Sequence, residues 1–280
     1  MSLLFPTVTK DNPCPVCGHA DWCALGDLKV KCMREVSDHP SKDGGWYHPY
    51  TDQRHVIKKA PFPRKAPILS PPESSEDHFR TLLIRWTHQT TETDLKRFSA
   101  QMSVEFDALK SLETCWSREH QSWAFPMKDE NGKIVGIRLR GLNGKKFSVR
   151  GGHQGLFIPN FEQQETVFLP EGPTSTAAFL SVGLFAIGRP SCSGGVEQVR
   201  ATLRKLKITK AVIMGDYDRK FRDDGTEWSP GIQGAESLAT RIGCRYCIWT
   251  TPTKDARDFV KMGGTKRMIL QAVSQLIWRR

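Results

Sequence analysis

The sequence predicts an α/β protein with a small cysteine-rich N-terminal module, joined by a linker to a basic α+β subdomain and an α/β domain. The first fifty residues are rich in Cys, His, Gly and Trp and poor in aliphatic side chains, so they cannot bury much of a core. A proline-rich tract follows them. From Thr166 onward, short apolar runs alternate with helical patterns, which indicates a largely parallel sheet.

These patterns place the boundaries of the module, linker, subdomain and α/β domain at 1–52, 53–76, 77–162 and 163–280. The linker holds five prolines, which favour a semi-extended chain: Pro61, Pro63, Pro67, Pro71 and Pro72. Residues 77–114 carry helical patterns. Beyond Trp123 the sequence changes to short strands separated by turns, as in WAFPM, KIVGIRLR and KKFSV.

The charge of the 280-residue chain indicates a polyanionic partner. It carries 41 Lys and Arg against 30 Asp and Glu, a net charge of +11. Residues 53–72 hold five of these cations and residues 133–150 hold six, and neither stretch contains an acid. Concentrated positive charge favours nucleic acid as the partner, although a solvated charged surface is an equal alternative on composition alone.

The cellular setting also follows from composition. The sequence has no apolar run of about 18 residues and no signal-peptide pattern at its start, so we expect a cytoplasmic protein. Thiols stay reduced in that compartment, and clustered cysteines there indicate a metal site rather than disulfides.

Four N-terminal cysteines form the pattern C-x2-C-x5-C-x8-C and predict a structural zinc site: Cys14, Cys17, Cys23 and Cys32. Gly18 follows the first pair and allows the backbone to fold back on the metal. The second half departs from the usual C-x2-C spacing, so His19 and His39 are substitute ligands if Cys23 or Cys32 is displaced. The alternative is a set of reduced, unliganded thiols. Cys244 and Cys247 lie inside an apolar strand pattern and are interpreted as core residues.

Carboxylates follow three apolar runs of the α/β half. TVFLP leads to Glu171, AVIMG leads to Asp216 and Asp218, and CIWTTPTK leads to Asp255. The carboxyl ends of neighbouring parallel strands meet at one sheet edge, so these groups predict an oxygen-rich site for Mg²⁺ or Mn²⁺. Each acid alone is equally consistent with a helix N-cap or a turn; the conjunction of E-G, D-x-D and K-D is the specific signal.

These motifs carry a family resemblance. Residues 166–259 resemble a Toprim domain, with Glu171 matching its first-motif glutamate and Asp216 and Asp218 matching its D-x-D. The stretch NGKIVGIRLRGLNGKKFSVRGGHQGLF is similar to the basic strands that precede Toprim in bacteriophage primase–helicases and DnaG-type primases, and Lys254-Asp255-Ala256 resembles their K-D-A. Zinc module, linker, basic subdomain and Toprim in this order cover nearly the whole chain.

The resemblance implies a DNA primase, which makes short RNA primers from NTPs on single-stranded DNA. It implies that Glu171, Asp216, Asp218 and Asp255 are catalytic and that the first three hold magnesium. Four cations would bind nucleotide or template: Arg138, Arg140, Lys145 and Lys146. The zinc module would bind the template initiation site or the first nucleotides through groups such as Asp21, Trp22, Arg34 and Trp46, each of which is also consistent with an ordinary structural role. A replicative helicase in a bacterial, phage or mobile-element setting is the expected partner.

Three alternatives remain at the sequence level: a Toprim nuclease, a topoisomerase and a non-catalytic replication or recombination mediator. The basic strands argue against the nuclease, the absence of a tyrosine-bearing cleavage domain argues against the topoisomerase, and the intact acids argue against the mediator. Arg219 and Lys220, beside the D-x-D, either contact phosphates or lie in a solvated loop. The zinc spacing departs from the family pattern, and the sequence contains no P-loop motif, so a stand-alone primase and a piece of a primase–helicase are both compatible with it.

Overall fold

The computed structural model describes residues 6–26, 28–41, 44–49, 75–221 and 224–280. The predicted linker lies outside the described residues apart from its last two positions. The five cations of 53–72 also lie outside them.

The N-terminal module is a three-stranded antiparallel sheet in the order β1-β2-β3. Its strands are β1 Ala24–Leu25, β2 Lys29–Cys32 and β3 Trp46–Pro49. Its buried core consists of two valines and three cysteines: Val8, Val30, Cys14, Cys23 and Cys32. So few aliphatic side chains bury little apolar area, as the composition predicts for a module of this size.

The middle of the chain packs three helices against a four-stranded antiparallel sheet in the order β4-β5-β6-β7. The helices are α1 Ser75–Gln89, α2 Glu92–Met102 and α3 Phe106–Ser111. The strands are β4 Cys115–Ser117, β5 Ser122–Lys128, β6 Ile134–Gly141 and β7 Lys146–Ser148. Helix α2 begins with a capping box, in which Thr91 and Asp94 each satisfy a backbone N–H of the other.

The C-terminal part is built on a three-stranded parallel sheet in the order β12-β9-β8. Its strands are β8 Thr166–Leu169, β9 Lys210–Gly215 and β12 Arg245–Thr250. A small antiparallel ribbon, β10 Lys220–Phe221 with β11 Glu227–Trp228, follows β9. The helices are α4 Gly172–Ser181, α5 Val196–Lys205, α6 Pro230–Ala239, α7 Ala256–Lys261 and α8 Lys266–Ser274.

Helices cover both faces of the parallel sheet, because its strands are apolar on both sides. One core includes side chains of α5 and α6, such as Val199 and Leu238, and the other includes side chains of α4, α7 and α8, such as Phe179, Phe259 and Ile269. The run LFAIG, predicted as a strand, differs in detail. It is joined to β8 only by isolated bridges, such as the parallel bridge between Phe168 and Ala186, and not by a continuous ladder.

The parallel register brings the strand ends to one edge of the sheet. Leu169 pairs with Ile213, and Gly215 pairs with Thr250, so β8, β9 and β12 all leave the sheet on the same side. The residues that follow these strands therefore share one edge. Within the described part of the chain, no helix is long and apolar enough to span a membrane.

Candidate metal and nucleotide site

The four N-terminal cysteines converge in the structure. Their sulfur atoms all lie within 4.8 Å of one another. The Sγ atoms of Cys17 and Cys23 are 3.7 Å apart, and those of Cys23 and Cys32 are 3.9 Å apart. A tetrahedral Zn²⁺ with Zn–S bonds of about 2.3 Å separates its sulfur ligands by ~3.8 Å. The thiol group could therefore hold a zinc ion without rearrangement.

The predicted glycine turn is present beside this group. Gly18 has a φ of +73°, and its N–H donates to the carbonyl of Cys14 at 2.8 Å. His19 and His39 do not belong to the converging group among the described residues, so four thiols form the set. Burial raises the pKa of the Cys32 thiol, and burial likewise raises the pKa of Cys23, so metal binding must displace protons there.

Cys244 and Cys247 pack in two different cores, as predicted for a strand. Cys247 is buried beside Met214 and Trp249, and Cys244 contacts the core on the other face of the sheet. Alternate residues of a strand face opposite sides, which explains why two cysteines three positions apart do not converge.

Glu171, Asp216 and Asp218 lie at the shared edge of the parallel sheet. Glu171 occupies the position before α4, where its side chain makes no capping bond, and its backbone bridges to Arg189. Asp216 follows β9 directly. Oδ1 of Asp218 accepts hydrogen bonds from the hydroxyl of Ser229 at 2.9 Å and the N–H of Gly231 at 3.0 Å.

Asp255 lies at the same edge, and its side chain also makes a hydrogen bond that caps a helix. Its Oδ1 accepts the N–H of Asp258 at 2.8 Å, so it caps α7, which is the alternative that the sequence left open for each acid. Among the described residues, the four cysteines are the only converging group of metal-ligand atoms, and the carboxylates do not form a second one.

Two of these acids, Glu171 and Asp216, have raised pKa values. The pKa of Asp216 is raised to about 7, first by burial and then by the neighbouring charges of Glu171 and Asp255, while Arg189 opposes them. Burial also raises the pKa of Glu171, against the lowering effect of Arg189 and Lys146. Such interactions require proximity, so Glu171 and Asp255 lie near enough to Asp216 to interact with it electrostatically.

A row of cations faces this group from the antiparallel sheet. Arg140 pairs with Lys146 across β6 and β7, and Arg138 lies two residues earlier on the same face of β6. Burial lowers the pKa of Lys146, the charge of Arg140 lowers it further, and Glu171 and Asp255 oppose them. Lys146 is exposed when the whole residue is considered, but part of it lines the cleft. The lowered pKa reflects that part of the side chain. Lys145 precedes β7 and is exposed.

Two guanidinium nitrogens near the acids have no hydrogen-bond partner although they are buried. They are Nε of Arg138 and Nε of Arg257. Arg257 lies close enough to Arg140 to lower the pKa of that residue, after burial has lowered it. A buried, unsatisfied cationic donor costs free energy, and an anionic ligand would satisfy it.

Arg189 was not identified from the sequence, although it directly follows the run LFAIG. Its side chain is 1% exposed. Its guanidinium donates to the carbonyls of Leu169, Cys192 and Met214 at 3.1, 2.9 and 2.6 Å. It thus ties the ends of β8 and β9 together beneath Glu171 and Asp216, and fixes their separation.

The N-terminal module is docked beside this edge. Arg34 forms an ion pair with Asp21 at 2.5 Å and donates to the carbonyl of Gly152. The second oxygen of Asp21 accepts the N–H of Gln154 at 3.1 Å, and Arg150 donates to the carbonyl of Arg34 at 3.1 Å. Asp21 and Arg34, two of the nucleotide-contact candidates, therefore make docking contacts in this structure.

The docked module closes one wall of a cleft of about 470 Å³. Its lining combines two indole rings of the module with three cations and one acid: Trp22, Trp46, Arg138, Lys146, Arg150 and Glu171. The Arg150 guanidinium lies 5.3 Å from the Trp46 ring. A larger cavity, of about 690 Å³, lies between α1 and α3 and has no lining residue in common with this cleft.

Comparison with known proteins identifies the fold. No protein-family model matches the sequence, and no curated protein matches it significantly. Among solved structures, the chain is similar to the primase fragment of the bacteriophage T7 primase–helicase, with a TM-score of 0.51 and 15% identity over 96% of this chain and 100% of that one. The chain has the primase fold.

Two further structures agree with this fold. The zinc-binding and RNA polymerase domains of the Aquifex aeolicus primase match with a TM-score of 0.55 and 14% identity, over 74% of this chain and 63% of that one. A DnaG primase catalytic domain bound to ssDNA matches with a TM-score of 0.52 and 11% identity, over 72% of this chain and 81% of that one. At these identities the likeness establishes the primase fold and leaves activity to the site residues.

Proposed function

We propose that this protein is a DNA primase that synthesises short RNA primers from NTPs on single-stranded DNA. The observation that carries the proposal is a cleft lined by Glu171, Arg138 and Lys146 in a chain that has the primase fold. Asp216 and Asp218 follow β9 at the same sheet edge as Glu171. Acids that hold a divalent cation beside cations that hold phosphates are what phosphoryl chemistry requires.

The side chains of this edge fit Mg²⁺ or Mn²⁺. Carboxylate oxygens are the ligands that these hard cations prefer, and Glu171, Asp216 and Asp218 would supply them. Bound there, the metal ion would neutralise phosphate charge and lower the pKa of an attacking hydroxyl. Arg138, which lines the cleft, fits a triphosphate, because its buried Nε lacks a partner that a phosphate oxygen would provide.

The reaction follows from this arrangement. The 3′-oxygen of one nucleotide attacks the α-phosphorus of the next NTP, a new P–O bond forms, and the bond to the β-phosphate oxygen breaks to release pyrophosphate. Glu171 would act either as the general base that receives the hydroxyl proton or as an outer ligand of the metal ion. Arg138, Arg140 and Lys146 hold the triphosphate as charge shifts to the leaving pyrophosphate, with Lys145 at the exposed rim for the template backbone.

Positioning falls to residues behind the acids. Ser229 and Gly231 orient Asp218, and Arg189 fixes the spacing of Glu171 and Asp216. Asp255 contributes negative charge near Arg140 while it caps α7. The zinc module, as a rigid wall of the cleft, places Trp46 and Trp22 where they can contact nucleotides. A replicative helicase in a bacterial, phage or mobile-element setting completes the proposed context.

Template-directed incorporation of ribonucleotides tests the proposal. The chain is incubated with Mg²⁺ or Mn²⁺, α-labelled NTPs and mixed-sequence single-stranded DNA, and the products are separated on a sequencing gel. We expect short products that require the template and are destroyed by RNase. Incorporation of dNTPs with equal efficiency, or products without template, would contradict a primase.

Metal binding at the acidic edge should depend on pH. Asp216, with a pKa of about 7, must lose its proton to bind the metal ion. Below pH 7 we therefore expect the apparent Mn²⁺ affinity to fall about tenfold per pH unit. Because the folded pKa exceeds the unfolded one, the metal-free protein should also lose stability as pH rises from about 4 to 7. Calorimetry at pH 6 and 8 measures the affinity, and Asp216→Asn should remove most of the pH dependence.

A further inference from the structure

The ribbon β10–β11 exposes aromatic rings beside the acidic edge. The Phe221 side chain is 66% exposed and the Tyr217 side chain 40% exposed. Trp228, on the second strand, is partly exposed. Large exposed rings on a two-stranded ribbon are unusual, because so small an element has little core to pack them against and is only marginally stable alone.

The rings are held in a defined ladder. The Arg219 guanidinium lies 6.0 Å from the Tyr217 ring and 5.9 Å from the Phe221 ring, so one cation links the two rings. Nε and Nη2 of Arg219 donate to the two carboxylate oxygens of Glu227, and the distance from Nε to Oε1 is 2.5 Å. Lys220 lies 5.6 Å from the Trp228 ring.

Both ends of the ribbon are anchored at the candidate metal site. Its first strand begins two residues after Asp218, and its second ends one residue before Ser229. Ser229 donates to Asp218 and lies within 3.0 Å of the carbonyl oxygen of Asp216. A strand of nucleic acid that reaches this edge therefore passes close to the ladder.

The charge of the ribbon indicates how it recognises a partner. Among its described residues, Arg219 and Lys220 are balanced by Asp224 and Glu227. A surface that grips a duplex by its phosphates carries an excess of cations, whereas base stacking needs only an accessible π face. The unpaired bases of a single strand present such faces, and those of a duplex are already stacked on one another.

We propose that the ribbon β10–β11 is a stacking platform for single-stranded DNA at the rim of the candidate metal site, with Phe221 as its principal ring. The identity of the strand as a template rests on the proposed function. The platform itself rests on the exposed ladder and on its attachment to Asp216 and Asp218.

A template strand with 2-aminopurine at successive positions tests the platform, because this base loses fluorescence when it stacks on a ring. With wild-type protein and no added divalent metal, we expect quenching at one position. Phe221→Ala should abolish it and weaken binding about tenfold, with the salt dependence unchanged. Phe221→Trp should restore both. Leu270→Ala, which truncates an exposed apolar residue of α8, is the matched control and should behave as wild type.

The outcomes separate this proposal from the proposed function. If Phe221→Ala binds and quenches as wild type does, the platform is wrong, whether or not primers are made, and the exposed ring is left for a protein partner. If Phe221→Ala loses quenching but the wild-type protein makes no primers, the platform stands and the primase assignment fails. Phe221 is largely exposed, so its truncation should leave the thermal unfolding midpoint unchanged.

Discussion

Asp216→Ala should reduce primer synthesis by at least about a hundredfold, because it removes the carboxylate at the centre of the acidic group. Asp216 interacts electrostatically with Glu171, Asp218 and Asp255, which places it among the other acids of this edge. Steady-state incorporation of labelled NTPs on a fixed template measures the loss. Asp216→Asn should lose nearly as much activity, since an amide oxygen is a weaker metal ligand.

The fold of this variant should survive. A buried carboxylate with a raised pKa is a cost to the folded state at neutral pH, so its removal should leave stability unchanged or slightly increased. Glu236→Gln is the matched control, because it neutralises an exposed carboxylate on α6 and should retain wild-type activity. An Asp216→Ala protein that makes primers at a near wild-type rate would show that this edge is not the reaction site.

Cys23→Ser should cost the N-terminal module its metal and its fold. The four thiols have the spacing of a tetrahedral zinc site, and structural zinc contributes about 10–16 kcal/mol to small modules of this kind. Without it, the two valines of the module core cannot compensate. Zinc measured by mass spectrometry should fall from one ion per chain toward none, and hydrogen exchange in residues 14–32 should lose its protection.

The rest of the molecule should remain folded in this variant, because its cores lie outside the module. Cys244→Ser provides the control, since that thiol packs against the sheet away from the converging group, and its zinc content should equal that of wild type. A Cys23→Ser protein that still holds one zinc ion with unchanged affinity would mean that another residue completes the set.

The fold could be predicted largely from sequence because its signals are local. The alternation after Thr166 gave the parallel sheet, and the acids after AVIMG and TVFLP lie at the sheet edge where parallel strands must end. The cysteine spacing departs from two C-x2-C pairs, yet β2 carries Cys32 back to the first pair and the four sulfurs meet. LFAIG was the weaker case, since single bridges rather than a continuous ladder hold it.

The remaining features depend on contacts between segments distant in sequence. Arg189 resembles any surface arginine until the fold buries it beneath Glu171 and Asp216. Asp21 and Arg34 suggested nucleotide contacts, but they pair with each other, and each also bonds a backbone group at 152–154, more than a hundred residues away. The hydrophobic periodicity of a sequence carries no information about contacts between residues so far apart. Asp255 caps α7 and also lies near the other acids. The sequence offered these two roles only as alternatives.

The most direct measurement of the central claim is one reaction that carries two labels. A 5′-labelled single-stranded template is incubated with differently labelled NTPs and Mn²⁺, with wild-type protein in one reaction and Asp216→Ala in the other. A primase gives new RNA of a few nucleotides beside an intact template, and the Asp216→Ala reaction lacks the RNA. Shortened template without new RNA, dependent on the same aspartate, would contradict the account and identify a metal-dependent nuclease.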